Sequence, residues 1–101
     1  MPEPKHPMHR SISIVTLPKV SVKGIESALK TFHADTEQSP TQIGLTPVDF
    51  GLIDKAINGH TGSGQPCAVQ NPATGTLVTI SAWTTGVTSG NAALSGFGEE
   101  Q

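Results

Sequence analysis

Four groups of residues in this 101-residue chain have types and spacings that could do chemistry. The first is Cys67, the only thiol, which follows the glycine-rich segment Gly59-His60-Thr61-Gly62-Ser63-Gly64-Gln65-Pro66. A nucleophilic cysteine needs a base, usually histidine, and donors for an oxyanion. His60 and the free N–H groups of the glycines supply candidates for both within eight residues. The ordinary reading competes: Cys67 opens an apolar run, where cysteine is usually a small buried hydrophobe. Papain-like, caspase-like and zinc-deaminase signatures are all absent, the last for want of a second cysteine at CxxC spacing.

The second group is the same glycine segment read as a phosphate loop. That chemistry needs Gly-Lys-Ser/Thr at the end of the loop, with the lysine on the phosphates and the hydroxyl on magnesium. Gln65 and Pro66 stand in those places. What survives is an ordinary flexible loop, whose free backbone N–H groups could still cradle some anion. The third group comprises His6, Met8 and His9, with His33 and Asp35 further on. Zinc or copper would need three or four such ligands in fixed geometry. No pattern forces these together, so the expectation is no metal and no cofactor. The fourth is the acid pair Asp49 and Asp54, five residues apart on different faces of one predicted helix, with Glu99 and Glu100 near the C-terminus. None of these is expected to be a catalytic pair. The expectation is a chain that is not an enzyme, with no catalytic residues.

The charges set these groups in context. Every lysine and arginine lies at or before Lys55, and no Asp, Glu, Lys or Arg occurs between Ala56 and Gly98. Only 14% of the chain is charged, against about a quarter in an average soluble domain. Net charge is −2. Residues 1–30 carry an excess of three positive charges, too sparse for a nucleic-acid footprint. No apolar run approaches the ~18 residues of a membrane helix, and no signal-peptide h-region is present. These observations lead to expectations of no nucleic-acid partner, no membrane association and a cytoplasmic location. One cysteine excludes an internal disulfide.

The elements that must position these residues follow from periodicity. Residues 1–10, with three prolines and two histidines, read as an extended arm. The β-branched run at 11–17 alternates and predicts a strand. Residues 23–34 change period, with Ile25, Leu29 and Phe32 on one helical face and Ser21 as cap. Residues 35–45 read as a polar linker, within which Thr41–Leu45 is the only candidate for a further strand. A helix over 47–58 is the clearest local signal. Thr46 is an N-cap residue, Pro47 suits the first turn, and Asn58-Gly59 is a stop. Residues 67–83 predict a β-hairpin closed by Asn71-Pro-Ala-Thr-Gly75. Residues 84–101 read as a Gly/Ser/Thr-rich tail in which Ala92, Ala93, Leu94 and Phe97 could dock.

The expected fold is therefore a small α+β domain over 11–83, ordered about β-α-α-β-β. Both helices pack on one face of a small, mostly antiparallel sheet, between flexible terminal segments. No family signature is carried by these residues. The functional expectation is a small non-enzymatic interaction module: a regulator, adaptor or accessory factor. Its candidate surface is the uncharged strand at 76–83, through Leu77, Thr79, Ser81 and Trp83, offered as an edge that could accept a partner's strand. The neutral C-terminal half would take a protein partner or a second copy. The alternative is a subunit of a homo-oligomeric assembly such as a virion or surface component, and a small cysteine- or metal-dependent enzyme ranks third.

Overall fold

A computed structural model describes residues 12–97. The expected 1–10 arm, its His6, Met8 and His9, and the acids Glu99 and Glu100 lie outside the described residues. The chain folds as β1 (Ser13–Thr16), α1 (Val22–Thr36), β2 (Gln42–Leu45), α2 (Pro47–Asn58), β3 (Cys67–Gln70), β4 (Leu77–Ala82) and β5 (Asn91–Ser95). One five-stranded sheet has the order β1-β5-β2-β4-β3. Three of its four pairings are antiparallel; β2 with β4 is parallel.

The helices form where their caps and stripes demand. Ser21 accepts a hydrogen bond from Gly24 N–H at 3.0 Å and starts α1. Thr46 Oγ1 accepts from Asp49 N–H at 3.3 Å and starts α2, with Pro47 in the first turn. Ile25, Ala28, Leu29 and Phe32 of α1, with Phe50 and Ile53 of α2, join one core cluster with alternate residues of every inner strand. In the sheet, Ile43 stands opposite both Ile80 and Leu94, and Cys67 stands opposite Ile80. All of these point to the same face, so both helices cover one side of the sheet and leave the other open. The α+β class and the helix placement are as the residues predict.

Two elements differ from the sequence reading. The candidate at 41–45 is a full strand, β2, at the centre of the sheet. The segment read as a loose tail carries β5, which pairs with β1 on one side and β2 on the other. Ala92 and Leu94 enter the core, while Ala93 is buried on the opposite side. Phe97 stacks on Phe32 with ring centroids 5.6 Å apart. The β5 strand was obscured because Ala-Ala-Leu carries no β-branched residue, and its alternation is lost when both faces are buried.

A third difference concerns β4. It lies between β2 and β3 and has no free edge, so no partner strand can pair with it; the sheet's edges are β1 and β3. Trp83, just beyond β4, donates its N–H to the Leu45 carbonyl at 2.7 Å. Its indole lies across Gly44 on the helix-free side, where a Cβ at position 44 would collide with the ring.

Removal of β5 leaves β1 and β2 without their shared neighbour. A chain ending at Trp83 is expected to lose its cooperative thermal transition by circular dichroism. Leu94→Ala in the full chain is expected to cost about 2–5 kcal/mol, the range for a buried leucine. A truncated chain that melts cooperatively would contradict this topology.

Candidate functional site

Of the residues singled out for chemistry, Asp54, the glycine loop and Cys67 converge at the C-terminal half of α2. Asp54 and Asn58, one turn apart, face the loop at 59–66 and the start of β3. The Asp54 carboxylate is only 4% exposed. Ser63 N–H donates to both of its oxygens at 2.8 Å, and Gly64 N–H donates to Oδ2 at 2.8 Å. Ser63 Oγ donates to Oδ1 at 3.1 Å, and Asn58 Nδ2 donates to Oδ1 at 2.8 Å. The glycine loop is thus an anion cradle, as its N–H groups suggested, and the anion it holds is a side chain of the same protein. Gly62 and Gly64 take φ of 68° and 72°, which turns the successive N–H groups inward. At Gly62 a Cβ would stand 2.6 Å from Asp54 Oδ2.

These bonds fix the electrostatics. The backbone N–H of Gly64, then that of Ser63, then the Asn58 amide hold the Asp54 carboxyl far below its ordinary 3.8; burial opposes this and loses. Cys67 moves the other way. Burial is the largest cause, followed by the negative charge of Asp54 and the hydrogen bond to it, and together they push the thiol above 9.0. The polar atoms around Sγ are Asp54 Oδ1 at 3.8 Å, Asn58 Nδ2 at 3.7 Å and the Gln65 carbonyl at 3.7 Å. No histidine is among them, and His60 is exposed in the loop. Such surroundings keep the thiol protonated, opposite to what a nucleophile requires.

Asp49 plays the corresponding part at the other end of α2. It is 3% exposed, and its Oδ2 accepts Gly90 N–H at 2.7 Å while Oδ1 accepts from Ser89 Oγ at 3.5 Å. From sequence, Asp49 is a helix-terminal charge; in the fold the same carboxylate also ties down the turn entering β5, a contact 41 residues away that no local pattern signals. The two acids do not meet in one pocket.

The remaining candidates are dispersed. His33 and Asp35 sit two apart on α1 and do not face one another. Among the described residues, no group of three or more His, Cys, Asp or Glu could hold a metal. None of their helices is long and apolar enough to cross a membrane. Leu77, Thr79, Ser81 and Trp83 share the helix-free side of the sheet; Leu77 is 71% exposed, Thr79 exposed, and Ser81 and Trp83 half-buried. No protein-family model matches the chain, no curated protein matches it, and no solved structure matches it.

The Asp54 cradle has a pH signature. With its folded pKa below its unfolded one, Asp54 contributes full stability above pH ~4, and that contribution declines as pH falls from there toward the folded value. Melting temperatures across pH 2–7 are therefore expected to fall less steeply below pH ~4 in Asp54→Asn than in the wild type. The variant is expected to melt lower at neutral pH, and Cys67 is expected to react faster with an aromatic disulfide reagent at pH 8. Identical acid limbs and thiol rates in the two proteins would refute this role for Asp54.

Proposed function

We propose that the protein is a small non-enzymatic interaction module that receives a protein partner on the helix-free face of its sheet. One observation carries this reading: none of the five strands bears a charged residue, and the open face they form has an aromatic side chain at its middle. Strand alternation puts Ile14, Thr16, Ala93, Gln42, Thr79 and Leu77 on that face. Ile14 is 51% exposed and Leu77 71% exposed. Interface centres are depleted in charge and enriched in aromatic residues, with tryptophan the most frequent hot spot. Trp83 is pre-placed there, its ring fixed against Gly44, so that little rotamer entropy remains to be lost on binding. A protonated, enclosed Cys67 and an Asp54 engaged by five donor contacts support the non-enzymatic part of the reading. The mode is face-to-face docking and does not require a strand to pair with β4.

The test is affinity capture from the native cell extract with wild type, Leu77→Lys and Thr79→Lys. Both substituted side chains are exposed, so both variants are expected to keep the wild-type circular dichroism spectrum and melt. A specific partner is expected to bind the wild type and to be weakened about thirtyfold or more by either lysine, the scale of losing a hot spot of about 2 kcal/mol. Capture of the same proteins by all three chains would overturn the assignment of this face.

A further inference from the structure

We infer that β1 is a self-pairing edge, through which two copies of this chain join their sheets into one. This proposal uses the backbone edge of β1 and does not rest on the reading of the helix-free face, although the Ile14 and Thr16 side chains border both. The edge can be read residue by residue. Leu17 N–H donates to the Gly90 carbonyl at 2.9 Å, continuing the β1–β5 register in which Ser13 faces Leu94. In an antiparallel ladder the backbone groups alternate in direction. Ser13, Val15 and Leu17 therefore turn their N–H and C=O toward β5, and Ile12, Ile14 and Thr16 turn theirs outward.

Exposed edges are usually guarded by charge, proline or a bulge. The run from Ile12 to Leu17 contains neither charge nor proline, and its Ile12 and Ile14 side chains are about half exposed. Pro18 closes this run at its C-terminal end only, whereas Pro66 and Pro72 bracket β3 at both ends and stop pairing there from extending.

Charge indicates that the occupant is a second, antiparallel copy. The parallel strands β1 and β2 both pair antiparallel with β5, so α1, which joins them, runs back against β1. Among the described residues, Lys19 and Lys23 thus lie beyond the C-terminal end of β1, and Asp35 and Glu37 lie toward its N-terminal end, with Glu26 and Lys30 between them on α1. Asp35 also lines a groove between β1 and α1, with Val15, Pro18, Ala28, Thr31 and Phe32. Two-fold pairing with Ile14 opposite Ile14 of the second copy sets Ile12 against Thr16. It brings the lysine end of each copy to the aspartate end of the other. A parallel copy would place like charges together. The product is a ten-stranded sheet whose uncharged face is continuous across the seam.

The test uses the pure 101-residue chain under reducing conditions, weighed by light scattering over a concentration series. The wild type is expected to approach twice the chain mass of 10.5 kDa. Ile14→Pro removes only an outward N–H, so its circular dichroism is expected to match the wild type while its mass stays at one chain. Thr79→Lys is expected to remain dimeric, which separates this edge from the open face. As a second arm independent of proline, Ile14→Cys in a Cys67→Ser background is expected to oxidise to a covalent dimer, because hydrogen-bonded antiparallel pairs hold Cα atoms about 5.5 Å apart. The same change at Ala68, on the β3 edge, is expected not to. A wild type that is monomeric throughout, a dimer that survives Ile14→Pro, or a dimer lost in Thr79→Lys would each overturn the proposal.

Discussion

A carboxylate taken out of water must recover its lost hydration from fixed donors, and α2 carries two that do so. Asp49 and Asp54 are both buried, and both turn to backbone N–H groups of the stretch 56–98, which has no Asp, Glu, Lys or Arg of its own. Asp54 closes the loop that leads into β3. Asp49 closes the turn that leads into β5. Between them they set where the C-terminal half enters the sheet at two points. The arrangement compensates both partners: each acid is solvated by the chain, and loop N–H groups with no ladder partner find strong acceptors. Glycines at 62 and 64 permit the left-handed backbone that aims these groups inward.

This division of charge extends to the whole domain. Among the described residues, lysines and acids sit on the helices and connecting segments, while the five strands are neutral. On the helix side the neutrality is that of an ordinary core, in which Ile43, Ile80 and Leu94 align across three strands. On the other side it produces an open surface of small polar and apolar groups around Trp83. Gly44 permits that placement, since any side chain there would collide with the indole. The feature that packs the sheet thus also shapes the surface through which a partner is proposed to bind.

Much of this was legible in the residues. Thr46-Pro47 and Asn58-Gly59 marked both ends of α2, and Asn71 to Gly75 marked the hairpin, because capping and turn chemistry are local. β5 was not legible as a strand, since Asn-Ala-Ala-Leu-Ser has little strand preference and owes its conformation to neighbours on both sides. β2 was visible only as a weak possibility, being four residues long with a glycine inside. The glycine loop reads from sequence as an ordinary flexible loop with N–H groups free for some anion, and Asp54 looks like any helical acid, so their pairing was not legible. The signal was present: an acid beside a Gly-Ser-Gly loop that lacks the lysine a phosphate site requires.

Amide hydrogen exchange, read residue by residue by NMR, tests the role of the two carboxylates most directly. The N–H groups of Ser63, Gly64 and Gly90 are expected to be protected well beyond other loop amides. Asp54→Asn is expected to release the first two and leave Gly90 protected; Asp49→Asn is expected to do the reverse. Exchange of all three at the rate of exposed loop amides in the wild-type protein would contradict the account.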